Sequence, residues 1–169
     1  MNFKTGFLMT IGTLCLAPFS FGQTVAKSGK PEVKIVTKRA TGTFEVKVTP
    51  VAAEENVGDP TIGRLALDKQ FSGALTASSK GQMLGFQGEP AGTGGYVAME
   101  RLNGTLDGKK GGFLLQHVGT MADGKFDLNI AVVPGSGTGE LVGISGKMTI
   151  VIEGGKHSFV LEYSLPKPK

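Results

Sequence analysis

Acid–base chemistry in this chain of 169 residues can draw on only two imidazoles, His117 and His157. An imidazole ordinarily titrates near neutral pH, and beside a carboxylate it can take or give a proton. His117 follows Phe113 and Leu115 at every second position, so on a strand it shares their face. Pairing of 96–106 with 112–121 would bring Glu100, Arg101 or Gln116 beside it. The connection Asp107-Gly108-Lys109-Lys110-Gly111 leaves the closure open. If paired residue numbers sum to 217, Glu100 lies opposite His117 and the two form a charge-assisted pair able to move a proton. If they sum to 218, His117 faces Arg101, Glu100 faces Val118, and the acid–base pair is lost. A buried neutral histidine bonded to backbone is the structural alternative. His157 adjoins the Gly154-Gly155 turn and reads as a rim or capping residue, on one face with Phe159 and Tyr163. The candidate ligand-binding set is therefore His117, Glu100, Gln116, Arg101 and Tyr163.

Other chemistries lack their residues. Gly-x-Ser-x-Gly, His-Glu-x-x-His and calcium-loop patterns are missing, and two histidines cannot build a three-histidine zinc site. Gly104 to Lys109 lacks the spacing of a phosphate loop, and Gly135-x-Gly137-x-Gly139 is not a dinucleotide fingerprint but a strand-connecting turn. No cofactor and no metal is expected.

The elements that must position these residues are strands. Phe44, Val46 and Val48 alternate with polar residues; so do Phe126, Leu128 and Ile130, then Met148, Ile150 and Ile152, then Phe159, Leu161 and Tyr163. Period-two alternation is the mark of a half-buried antiparallel strand. Gly makes up 27 of the residues, about 16% against an average near 7%, and Asp-Gly and Gly-Gly pairs fall between the alternating runs. Strands are expected near 41–50, 62–71, 73–80, 82–88, 96–106, 112–121, 125–133 and, as a hairpin, 145–165, with 73–88 as one long bent strand in the alternative. Thr138 to Gly143 has room for a single helical turn. Phe44, Val46, Phe126, Leu128, Ile130, Ile150, Phe159, Leu161 and Tyr163 are the expected core. The fold class is all-β: a single antiparallel barrel of about eight strands, wide enough to be filled by side chains or to hold one small ligand.

The first 22 residues read as a signal peptide: Lys4, an apolar stretch from Gly6 to Ala17, Pro18, then Ser20-Phe21-Gly22 as the cleavage site. The apolar stretch is too short for a stable membrane span. Cleavage there removes Cys15, the one cysteine. Export to the periplasm or beyond is expected. Residues 23–39 form a basic linker, with five basic residues against one acid between Lys27 and Arg39. From Ala40 onward 12 basic residues face 13 acidic ones. The domain at 40–169 therefore has no basic face, and nucleic acid is not an expected partner.

Ala40-Thr41-Gly42-Thr43-Phe44-Glu45-Val46, Gly112-Phe113-Leu114-Leu115-Gln116-His117-Val118-Gly119-Thr120 and Val132-Val133-Pro134-Gly135-Ser136-Gly137-Thr138-Gly139-Glu140-Leu141-Val142-Gly143 carry a family likeness. Over about Ala40 to Pro166 the chain resembles the bacterial family called domain of unknown function 3224. The resemblance implies an allene oxide cyclase-like barrel and no particular activity. Three functions fit such a barrel: binding a small, mostly apolar molecule in or at its mouth, cofactor-free isomerase or cyclase catalysis, and a structural role as a homo-oligomer without a ligand.

Overall fold

In the computed structural model, residues 36–52 and 58–167 are described; the leader at 1–22 and most of the basic linker lie outside the described residues. The described chain is all strand, without a helix. Its elements are β1 (Lys38–Val51), β2 (Gly63–Gly73), β3 (Leu75–Gly88), β4 (Thr93–Leu106), β5 (Lys109–Ala122), β6 (Lys125–Val132), β7 (Thr138–Gly139), β8 (Ser145–Glu153) and β9 (Lys156–Ser164). Gly73 ends β2, and Leu75–Gly88 is a single strand with Gly81 inside it, while Thr138 to Gly143 is a two-residue strand followed by turns rather than a helical turn.

Antiparallel pairing runs β4–β3–β2–β1–β9–β8–β6–β5, and β4 pairs with β5 to close the ring. The result is an eight-stranded barrel, with β7 as an extra strand on β5. Closure leaves no long open edge for another chain to extend. Alternation does what a barrel requires: Phe71, Leu75, Leu102, Phe113, Leu115, Phe159 and Leu161 point inward and are almost fully buried. Gly42 makes room for this, because a side chain there would meet the Phe159 ring and the Ser72 carbonyl.

The two ends differ. At one end lie the β2–β3 and β4–β5 turns and the 133–144 connection, whose Leu141 and Ile144 are buried in the core. The connection is latched to β5 by side chains. Ser136 Oγ accepts from the Leu114 N–H at 3.0 Å, Thr138 Oγ1 from the Gly112 N–H at 3.0 Å, and Glu140 Oε2 from the Lys110 N–H at 2.8 Å. That glycine-rich segment is the plug of the barrel. Tyr163, buried there, donates its hydroxyl to Asp107 Oδ2 at 2.6 Å.

At the other end the wall is uneven. β1 pairs with β9 only as far as Phe44 opposite His157, so the rest of β1 rises past the β8–β9 turn. β6 and β8 pair only at Ile130–Met148 and Ala131–Lys147, then part. Between 125–129 and 149–153 the wall is slit. Of the expected core, Phe44, Ile130, Phe159, Leu161 and Tyr163 are buried, and Val46, Leu128 and Ile150 are partly buried. Phe126 is instead 50% exposed, because it has the inward parity but stands where β6 has parted from β8 and no described residue covers it.

Candidate functional site

The β4–β5 turn is tighter than either closure weighed from the sequence. Leu106 pairs with Lys109, and only Asp107 (φ 47°) and Gly108 (φ 78°) form the loop. Positive φ at both positions is what a two-residue hairpin turn demands, and Asp-Gly is its commonest signature. Ala98 therefore lies opposite His117, and Leu115 opposite Glu100. Neither the 217 nor the 218 pairing holds. Glu100 and His117 still meet, as diagonal neighbours on the inner face.

They meet within a buried charged cluster. Glu100 is 0% exposed; its Oε2 accepts from Lys69 Nζ at 2.6 Å and lies 3.3 Å from His117 Nε2. That imidazole is within ion-pair reach but not aligned for a hydrogen bond. Ser79, inward on β3, completes the group. Ser79 Oγ, Glu100 Oε1 and His117 Nε2 make no hydrogen bond of good geometry, yet the Ser79 hydroxyl and the His117 imidazole lie near enough to stabilise the Glu100 carboxylate. Burial pushes the Glu100 carboxyl up, but the imidazole, the ammonium and the serine hydroxyl outweigh it and hold it down at about 2. Glu100 is thus a carboxylate in the middle of an apolar barrel. The Lys69 ammonium also rests over the rings of Phe44 (5.2 Å) and Phe71 (5.9 Å), which favour it as a cation.

Toward the open end the lining becomes aromatic and apolar. Tyr96 covers Gly119, where a Cβ would collide with the ring, and stacks on Phe126 at 6.3 Å. Burial raises the Tyr96 hydroxyl above its ordinary range, and the Glu100 charge adds to this. At the low side of the wall an open groove of about 630 Å³ is lined by Phe44, Val46 and His157 together with Thr43, Glu45, Gln70 and Ser72, which have the outward parity, and the rings of Phe44 and His157 lie 5.0 Å apart.

The five sequence-derived residues thus occupy three places. Glu100 and His117 share the inner cluster. Arg101 and Gln116 have the opposite parity and line an outer groove of about 870 Å³ across β2 to β5, with Leu84, Val97 and Met99. Arg101 also reaches the plug, donating to the Ser136 carbonyl at 3.0 Å. Tyr163 belongs to the plugged end. Lys69 and Ser79 escaped the sequence reading. A signal for Lys69 was available: in Leu65-Ala66-Leu67-Asp68-Lys69-Gln70-Phe71 it takes the apolar parity, where a lone cation needs a partner. Among the described residues no group of three or more His, Cys, Asp or Glu is placed to hold a metal, and no helix is long and apolar enough to cross a membrane.

Fold and cluster together define a small closed antiparallel barrel with a charged group in its core. The chain belongs to the family described as Protein of unknown function (DUF3224), whose model matches residues 40–163. It is similar to a crystallised protein of unknown function from that family from Shewanella oneidensis MR-1, with 44% identity over 78% of this chain and 99% of the other, and a TM-score of 0.71. No curated protein matches the chain.

Proposed function

We propose that this protein is exported and binds a small, mostly apolar molecule at the open end of its barrel. One observation carries the reading. Apolar residues of inward parity are left uncovered at that end alone, with Val48 46%, Phe126 50% and Ile152 60% exposed, beside a slit in the wall. Leu75, Leu106 and Leu141 at the other end are each at most 1% exposed. Uncovered apolar side chains at the mouth of a barrel are a surface that an apolar ligand can cover. Export rests on the Lys4–Gly22 segment. A thermal-shift screen of hydrophobic metabolites tests the binding. Saturable stabilisation that disappears when Phe126 and Ile152 are both changed to Ser supports it, and no hit in a broad screen sinks it. Mass spectrometry of the natural protein tests export, with a mature start at Gln23 expected and an intact Met1 refuting it.

Cofactor-free isomerase chemistry is the second reading, favoured by the 3.3 Å approach of His117 to Glu100. Turnover of a cyclisable substrate, lost in His117→Ala, would establish it. Unchanged ligand binding by a still-folded His117→Ala protein would retire His117 from both readings.

A further inference from the structure

We infer that the outer groove across β2 to β5 is a second binding site, separate from the open end, and that it takes a single-chain anionic amphiphile of the fatty carboxylate kind. It stands or falls independently of the open-end reading.

Outward positions of a closed barrel face water, and across β1, β9 and β8 they are mostly polar. One outward row there reads Arg39, Glu162, Lys147, and the next reads Thr41, Val160, Thr149. Across β3, β4 and β5 that pattern breaks. Leu84 lies opposite Val97 and Val97 opposite Val118, with Met99 in the adjoining row. Leu84, Val97 and Met99 are 46%, 50% and 44% exposed. A single apolar residue on a surface needs no explanation, but a contiguous row of them marks a contact site. The surface is also hollow. β3, β4 and β5 are each 14 residues long, and twist gives long barrel strands a hyperboloid waist, concave along the strands. The groove at that waist has a volume of about 870 Å³, within the range of small-molecule sites.

Charge selects the occupant. Among the described residues that line the groove, Arg64, Lys80 and Arg101 are charged and none is acidic. Lys80 and Arg101 are direct cross-strand partners, and like charges set directly opposite destabilise a sheet. Asp68 pairs with Lys80 from β2, but Lys47 faces Asp68 in turn from β1. The outward row Lys47, Asp68, Lys80, Arg101 therefore sets three cations against one anion. Arg101 donates to the Ser136 carbonyl, an acceptor without charge. A carboxylate between Lys80 and Arg101 would accept charge-assisted bonds from both and relieve their repulsion. From there Met99, then Leu84 and Val97, continue along the groove over four residues of strand, about 14 Å, as a bed for an alkyl chain. An ammonium head would add one more cation to the row. An alcohol would leave the repulsion in place.

The test titrates decanoate, 1-decanol and decylamine, each below its micelle concentration, into the full chain by calorimetry at low salt and about pH 8, where a carboxylate is ionised and an alkylamine charged. Decanoate is expected to bind about 10-fold tighter than decanol, and decylamine weakest. That advantage should shrink as salt is raised, because exposed charges are screened. Lys80→Gln and Arg101→Gln should each remove most of it and leave decanol unchanged. Arg101 also holds the plug, so Lys80→Gln, at an exposed position, decides the matter if the arginine variant unfolds. Leu84→Ser combined with Val97→Ser should weaken decanoate and decanol alike, several-fold. The Phe126→Ser, Ile152→Ser protein should bind decanoate as its parent does, which separates this groove from the open end. Decanoate no tighter than decanol, or a preference indifferent to Lys80→Gln, overturns the assignment. So does loss of decanoate binding in the Phe126→Ser, Ile152→Ser protein, which would move the ligand to the open end. Binding to phosphatidylglycerol vesicles without binding to decanoate overturns it in favour of a membrane surface.

Discussion

The plugged end and the open end are built from the same strands with the same alternation, yet one is core and the other is surface. At the plugged end Leu75, Leu102, Leu106 and Phe113 are covered by Leu141 and Ile144 of the long 133–144 connection. At the open end Val48, Phe126 and Ile152 have the same parity, but no described residue covers them as Leu141 and Ile144 cover the other end. Alternation therefore decides which way a residue points. What lies above it decides whether it is buried, and that depends on connections and on where neighbouring strands part. Between the two ends sits the buried charged cluster of Lys69, Ser79, Glu100 and His117.

The largest effects should come from the plugged half and the cluster. Phe159→Ala removes a ring that packs on Gly42 and meets Phe71 edge-on with centroids 5.6 Å apart, and should lower stability by about 3–5 kcal/mol. Glu100→Ala leaves Lys69 buried without its counter-charge and should lose a similar amount, about 3–5 kcal/mol. Urea unfolding measures both. A loss under about 1 kcal/mol at Phe159 would mean that the two ends do not differ as described.

Acid should act on the cluster next. Glu100 titrates at about 2 in the folded chain against an ordinary 4.5, so the unfolded state binds the proton more readily. Its contribution is complete above about pH 4.5 and is lost as pH falls toward 2. The shift corresponds to a loss on the order of 3 kcal/mol over that window. Glu100→Gln should flatten that part of the stability profile, measured by denaturant unfolding from neutral pH downward. An unchanged slope would place the acid sensitivity elsewhere.

How much of this was legible beforehand follows from the same division. The barrel could be read because alternation is local: Phe44, Ile130, Phe159 and Leu161 announce their face within five residues of chain. The meeting of Glu100 and His117 could be anticipated as a shared face but not as a pairing, since register depends on the turn. There the five-residue span Asp107–Gly111 concealed a two-residue Asp-Gly loop. Chain proximity groups Gln116 with His117, although period two sends odd and even positions of a strand to opposite faces, and Arg101 joins them only through the 218 pairing, which the two-residue turn excludes. The exposure of Phe126 was not legible, because the parting of β6 from β8 is a relation between segments about 20 residues apart. The residue that best marked the site, Lys69, was visible only as an exception to an apolar pattern.

Tyr163 tests the plug at smaller scale. Its hydroxyl donates to Asp107 Oδ2 at 2.6 Å, and burial together with that carboxylate pushes its ionisation well above the ordinary range. Tyr163→Phe keeps the ring and removes one charge-assisted bond, for an expected loss of about 1–2 kcal/mol by thermal or urea unfolding. A neutral result would mean that apolar packing alone holds the plug.

The smallest expected change in stability separates the two ends most sharply. Phe126 has the inward parity of Leu128 and Ile130, so parity alone forecasts a core residue whose truncation costs about 3–5 kcal/mol. The ring is instead half exposed, supported on one side by Tyr96 and facing the slit between β6 and β8 on the other. Losing one stacking neighbour at a solvent-facing position should cost about 1 kcal/mol or less. Phe126→Ala should accordingly unfold at nearly the same urea concentration as the parent, while its affinity for any apolar ligand found in the screen falls several-fold. Those two measurements separate a lining residue from a core residue. A large loss of stability would show the open end to be packed like the plugged one, and unchanged affinity in a fully stable protein would move the ligand away from the slit.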